Sequence, residues 1–402
     1  MTSSNRRINN DDDGEGSSSS SDSNDVLAHN FSELKEEWKR QQRMLKQRLV
    51  TEDQFDFDAN SEIKYIGGCD ISFFKGNNVD AVASLVVVEL PTMNVVYESY
   101  HMVQLTQPYI AGYLAFREVE HLLKLIDELR HTKPEYIPQI LMVDGNGILH
   151  PRSFGIACQL GVMTNIPTIG VAKNLLVVDD LDAKQVKQQA IEEQRQHDKG
   201  VNDGSNNDNH NHHYTLLKGK SGGGKIWGGV IVKPNQSKPI YVSIGHKICL
   251  TTAVSIVKQC QIFSRIPEPI RQADLRSREY VRNTLLVTNI ISKTTTEDVL
   301  RKVFGEYGKI RGVICYNHLN HDGDVVCRSS VREEIVKENT GCFAFVTFYK
   351  NGDAKRVMKS LSSLQNDDKV YVNVDVDGRQ GPGQRNWNVE FATQPKGDNH
   401  NN

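Results

Sequence analysis

Three carboxylates stand where strands and a helix can bring them together. Asp70 sits near the end of the run YIGGCDIS, Asp144 ends the apolar run LMVD ahead of GNGILHPR, and Glu118 lies on a helical stretch between them. A strand that delivers one acid to its carboxyl end and then turns through Gly145 and Gly147 has the form of an α/β active-site edge. On the helix predicted over 113–130, Ala115, Val119, Leu122, Ile126 and Leu129 make the buried stripe. At about 100° per residue, Glu118 falls beside Leu122 and Leu129, whereas Glu120 falls nearly opposite. Three such acids repel one another, and burying them is costly without a compensating cation. Oxygen-only ligands favour a hard divalent ion, Mg2+ or Mn2+, over zinc. That grouping suits the cutting of phosphodiesters, in which the metal stabilises the attacking and leaving oxygens.

The elements needed to position these acids can be read along the chain. A meander of three strands over 63–71, 81–89 and 95–103 precedes the helix, and a strand, a short helix and the strand IPTIGV follow it. Strand, helix and strand in such quick succession predict a parallel crossover. Two more strands over 225–232 and 240–244, then helices over 251–260 and 267–281, complete a first domain-sized region spanning 31–282. Within it, 177–224 reads as a low-complexity loop insertion whose His210, His212 and His213 are solvated. Residues 1–30 are acidic and serine-rich and are expected to be disordered, like the tail 394–402. A helical pattern from Ser32 places Leu34, Trp38, Leu45 and Leu49 on one stripe among charges; it reads as a surface helix whose basic face suits a phosphate backbone.

Composition narrows the setting. The 402 residues carry a formal net charge of −2, which excludes a wholesale polycation, and the seven cysteines contain no CxxC pair. A reduced intracellular compartment is expected, cytoplasmic or nuclear. No stretch approaches the roughly eighteen apolar residues of a membrane span, so a soluble monomer without a membrane partner is expected.

The acids do not stand alone. Asp70 in GGCDIS, with PYIAGYLAFRE, DGNGILHPR and IPTIGVAK in that order, resembles the endonuclease V family; SIGHKICL and PEPIRQAD extend the resemblance across 31–282. It implies an α/β, ribonuclease-H-like mixed sheet flanked by helices, and a nuclease that cuts near deaminated adenine. It also implies that Asp70, Asp144 and Glu118 hold Mg2+ or Mn2+. Lys173 would face the scissile phosphate or orient the attacking water. His246, which alone reads as a core histidine, would complete the site. Tyr109 and Gly112 would belong to a wedge that holds strands apart while the base is extruded, with Ala111 where the family usually has a second proline. Gly145 and Gly147 would allow close approach of the flipped base, and His150 would contact nucleic acid beside it. The expected reaction is hydrolysis of a phosphodiester 3′ to inosine, leaving a 5′-phosphate, on RNA. A deoxyinosine-specific DNA repair endonuclease and a non-catalytic inosine reader are the alternatives.

Beyond Arg282 the pattern restarts as βαββαβ, a second α+β module of ferredoxin-like order over 283–393. Its segment GCFAFVTF resembles the octamer of an RNA recognition motif, which implies exposed stacking rings at Phe343 and Phe345. The segment departs from that pattern at Gly341 and Cys342, and Leu286 stands where the partner hexamer usually has an aromatic. Packing against protein is the competing reading.

Overall fold

The structure, a computed structural model, describes residues 19–55, 63–74, 78–202, 213–220, 223–290, 296–316, 342–362, 370–373 and 386–391. It divides into two units, residues 1–47 and 48–402. In the first, a single helix α1 (Ser19–Lys46) ends on Arg43 and Lys46 in its last turn, where cations suit the helix dipole. It begins at Ser19, so 19–30, expected to be disordered, are helical. The residues 1–18 and the tail 394–402 lie outside the described residues.

The second unit is built on an eight-stranded mixed sheet in the order β3-β2-β1-β4-β5-β8-β7-β6. Its strands are β1 (Tyr65–Phe73), β2 (Asp80–Glu89), β3 (Asn94–Gln104), β4 (Ile140–Asp144), β5 (Thr168–Ala172), β6 (Thr215–Lys218), β7 (Ile226–Ile231) and β8 (Ile240–His246). β1, β4 and β5 run parallel, as the short crossover predicts, and the remaining pairings are antiparallel. Both faces are covered, which is why β2 and β4 are almost continuously apolar. On one face lie α2 (Leu114–Thr132) and α3 (Ile156–Thr164), packed on Leu85, Val87, Leu141 and Val143. On the other lie α5 (Leu250–Gln259) and α6 (Glu268–Arg282), packed on Ile66, Val86, Met142, Val242 and Ile244.

Glycine sets how closely α6 lies on the sheet. A side chain at Gly68 of β1 would collide with the Pro269 carbonyl, so the first turn of α6 rests directly on the strand that carries Asp70. The insertion is more ordered than its composition suggests. Helix α4 (Ala183–Asn202) and β6 both fall within 177–224, and Ala190, Leu181, Leu217 and Trp227 share a buried cluster. Gln, Glu, Lys and Ala are strong helix formers, and a run of them reads as low complexity although Val186 and Ala190 supply a core-facing stripe. His210 and His212 lie outside the described residues.

The C-terminal module follows α6 after one residue, Asn283. Strands β9 (Thr284–Ile290), β10 (Ile310–Tyr316), β11 (Cys342–Phe348), β12 (Val370–Asn373) and β13 (Asn386–Phe391) form an antiparallel sheet in the order β10-β11-β9-β13-β12. Helices α7 (Glu297–Gly305) and α8 (Asn351–Ser362) contribute Leu300, Phe304, Ala354 and Val357 to its core. Among the described residues the elements follow in the order β9-α7-β10-β11-α8-β12-β13, which differs from the expected βαββαβ by the strand β12. Among the described residues no helix is long and apolar enough to cross a membrane.

Candidate active site

Asp70 and Asp144 reach the same sheet edge because β1 and β4 are parallel neighbours in a register that pairs Cys69 with Val143. Asp70 accepts hydrogen bonds from Ser72 Oγ (3.1 Å) and Ser277 Oγ (3.2 Å). Lys173, one residue past β5, donates from Nζ to Asp144 Oδ2 at 2.5 Å and lies 3.9 Å from Asp274 Oδ1. Glu118 is buried on α2, as its place on the helical wheel predicts.

The electrostatics show that the acids share one field. Burial, then the charges of Asp144 and Asp274, raise Asp70 to about 7, against the pull of Lys173 and the Ser72 hydroxyl. Burial raises Glu118 to about 8, with Asp70 and Asp144 adding to it and Arg117 opposing. Burial pulls Lys173 down, but Asp144, Asp274 and Asp70 outweigh it and its ammonium is held above the usual range. Carboxyls raised by burial and then by each other mark a place that a positive charge would stabilise.

Asp274 was not among the residues singled out from the sequence. The signal was present: on α6, Ile270, Ala273, Ser277, Tyr280 and Val281 are buried, and Asp274 borders that stripe as Glu118 borders its own. Its Oδ1 is also bound by Arg278 at 2.8 Å.

Four expectations are corrected. His246 is not with the acids. β8 runs antiparallel to β5, pairing His246 with Thr168 while Val242 pairs with Val171, the partner of Asp144. His246 therefore lies toward the opposite edge of the sheet, roughly 10 Å along the strand from that register. There its Nδ1 accepts from the Val50 amide at 3.3 Å, and burial, then Lys247 and Arg48, lower it to about 4. His246→Asn, which keeps an acceptor for Val50, should cut substrate at close to the parental single-turnover rate; a thousandfold loss would return the residue to the site.

Gly147 is buried, its amide donates to Ser243 Oγ at 2.9 Å, and a side chain there would strike the Ile244 carbonyl. Its small size serves packing against β8, not approach to a base. Gly145, at φ +153°, remains partly exposed beside Asp144, where a Cβ would come within 2.7 Å of Ile156 Cγ2.

His150 is likewise buried. The Arg152 amide donates to its Nδ1 at 3.2 Å, leaving Nε2–H to donate to the Gly112 carbonyl at 2.9 Å. The Arg152 guanidinium also donates to that carbonyl and covers the Tyr113 ring at 3.9 Å. His150 thus ties the loop after β4 to the loop that presents Tyr109, which is 69% exposed at the tip, while Gly112 turns at φ +81°. An exposed ring on a braced loop suits a wedge.

Phe343 and Phe345 are both 2% exposed and pack against Phe74, Val82, Tyr280 and Val281. The expectation of exposed stacking rings is therefore corrected: the sheet face that would display them is covered by the nuclease region.

The family profile of endonuclease V matches residues 43–275, more than half of the chain. The chain belongs to the endonuclease V family. It is 44% identical to mouse endonuclease V over 261 residues, covering 62% of this chain and 70% of the relative. Human endonuclease V is 42% identical over 259 residues, 62% of this chain and 83% of the relative. A crystal structure of the human protein superposes with a TM-score of 0.54 at 42% identity, covering 61% of this chain and 97% of that one. Endonuclease V of Ciona intestinalis, in complex with a 24mer DNA containing an inosine followed by a ribo-adenosine, gives 0.52 at 36% identity, covering 61% and 97%. The matched region stops short of the C-terminal module.

Proposed function

We propose that the protein is a divalent-metal-dependent endonuclease that recognises inosine in nucleic acid by extruding the base and hydrolyses a phosphodiester 3′ to it. The observation that carries the reading is that Asp70, Asp144 and Asp274 share the field of Lys173 while Glu118, buried on α2, feels the charges of Asp70 and Asp144, in a chain of this family. The inosine comes from the ligand in the Ciona intestinalis complex.

Among the described residues, no three acidic, imidazole or thiol side chains stand close enough to form a ready-made ion cage. The donor chemistry nevertheless fits a hard cation: the donors are carboxylate oxygens, and burial together with the neighbouring acids raises Asp70 and Glu118, a cost that a bound cation would offset. Asp70, Asp144 and Glu118 would hold Mg2+ or Mn2+, with Asp274 behind them. Such an ion supplies charge stabilisation to the attacking and leaving oxygens of the displacement. Water adds to phosphorus, the bond from phosphorus to O3′ breaks, and the products are a 3′-hydroxyl and a 5′-phosphate. Lys173 Nζ, at the junction of Asp144 and Asp274, orients the water or meets a phosphate oxygen. Tyr109 fills the gap left by the extruded base, braced through Gly112 by His150 and Arg152.

RNA is the preferred substrate in this reading. With Phe343 and Phe345 covered, the C-terminal module gives no support for it. The support is the ribo-adenosine that follows the inosine in the relative's ligand, which puts a 2′-hydroxyl on the nucleotide next to the inosine. Matched single-stranded RNA and DNA oligonucleotides, each with one inosine, test the choice. RNA is expected to be cut faster at equal protein concentration; faster cutting of DNA would make the protein a deoxyinosine repair nuclease.

A further inference from the structure

The C-terminal module lies beyond the family match and meets the nuclease through the very face that its octamer would use for bases. Phe345 on β11 stacks on Phe74, with ring centroids 5.0 Å apart and planes at 21°. Phe343 meets Phe345 edge-on at 5.6 Å. Val82, Tyr280 and Val281 complete the same buried cluster.

These contacts fall at the ends of the two elements that carry the acids. Phe74 follows β1, four residues beyond Asp70. Tyr280 and Val281 lie one helical turn beyond Ser277 on α6, the helix that also bears Asp274. Upstream of the cluster β1 and α6 are already joined, Ser277 Oγ being 3.2 Å from Asp70 Oδ2 and 2.8 Å from Ser72 Oγ.

The connection has little slack. The Phe348 amide donates to the Asn283 carbonyl at 3.0 Å, the Thr284 hydroxyl donates to the Tyr280 carbonyl at 2.8 Å, and Thr347 Oγ1 stands 2.8 Å from Thr284 Oγ1. At the rim the Arg311 guanidinium of β10 lies 4.6 Å from the Tyr100 ring centre and 5.0 Å from that of Tyr280. Glu98 of β3 holds Arg276 of α6 at 2.6 Å and lies 3.9 Å from Arg311.

We propose that the module acts in cis as a clasp: its sheet face grips the ends of β1 and α6 and holds Asp70 and Asp274 in register, with Phe345 and Phe74 as the positioning pair. The proposal rests on the nuclease reading above. A face built to stack on bases would present its rings to solvent, whereas these rings are closed inside a contact with the same chain. Small displacements of catalytic groups cost rate steeply, so a contact remote from the chemistry can control it.

The test uses the full-length protein with Phe345→Ala, Phe74→Ala, the double variant and Phe345→Leu. Two quantities are read on a single-stranded inosine oligonucleotide: the single-turnover cutting rate at saturating protein, and the affinity measured without divalent cation. The clasp predicts that each alanine variant lowers the saturated rate by on the order of tenfold or more, with affinity unchanged. Phe345→Leu, which keeps apolar bulk and protects against outright unfolding, should recover part of the rate. The double variant should be little slower than either single one, because both remove the same contact. Loss of affinity at an unchanged saturated rate in Phe345→Ala, with Phe74→Ala binding as well as the parent or tighter, would overturn the clasp and make Phe345 a base-stacking ring. Parental rates in both alanine variants would also overturn it. A parent that fails to cut inosine strands would instead count against the nuclease reading, so the two failures are distinguishable.

Discussion

Asp144→Asn is expected to bind an inosine-containing strand as tightly as the parent and to cut it slower by on the order of a thousandfold. Asparagine keeps the shape of the side chain and its place at the end of β4 but removes the charge that Lys173 Nζ meets at 2.5 Å. The site then loses a carboxylate for the proposed cation and the partner that holds the ammonium in position. Binding should survive, because Tyr109 and the loop braced by His150 stand apart from that charge, and one fewer carboxylate repels the phosphate backbone less. Single-turnover cutting and a gel-shift titration on the same oligonucleotide separate the two effects. An Asp144→Asn protein that cuts in magnesium as fast as the parent would remove the acid from the site.

Divalent cation is expected to bind with a steep pH dependence and to stabilise the protein more as pH rises. Asp70 is raised from 3.8 to about 7 and Glu118 from 4.5 to about 8. Both folded-state values lie above the unfolded ones, so the folded protein holds extra protons between them. Without cation, this contribution to stability is fully present below the unfolded values, at about pH 4, and is lost as pH climbs through about 7 and about 8. A cation needs both carboxyls ionised and must displace their protons, so its apparent affinity should rise by up to about tenfold per pH unit for each proton displaced. The gap between melting temperatures with and without Mg2+ or Mn2+ should therefore widen from about pH 6 to about pH 9. A gap that stays constant over this range, or that closes with rising pH, would mean that Asp70 and Glu118 do not share a cation.

Much of this site is legible in local sequence because its parts obey local rules. A strand ending in an acid, as at Asp144, and a glutamate bordering a helical stripe, as at Glu118, can be placed without knowing the rest of the fold. Asp274 obeys the same helical rule and was readable in principle from Ile270, Ala273 and Ser277. The position of His246 was not, because a strand end faces the active edge only if its strand runs the right way. The direction of β8 is set by its pairing with β5.

The glycines and aromatics teach a related lesson. Gly147 and Gly68 both mark close approach, but only the tertiary structure shows that the neighbour is the Ile244 or Pro269 backbone. Phe343 and Phe345 alternate as a sheet face should, yet whether that face meets solvent, nucleic acid or protein depends on what covers it. Here the cover is Phe74 and the end of α6. The helix α4 was hidden for a different reason: Gln, Glu and Lys promote helices and also dominate low-complexity segments, so composition alone does not separate the two.

Asp70, Asp144, Glu118 and Asp274 are expected to cut nucleic acid under the direction of inosine. Single-turnover digestion of two otherwise identical strands, one with inosine and one with adenosine, in magnesium and in chelator, tests it most directly when the product ends are mapped. One cut 3′ to the inosine, with a 5′-phosphate on the downstream fragment and no cutting in the adenosine or chelator lanes, is the predicted result. Equal cutting of both strands, or cutting that persists in chelator, would contradict it.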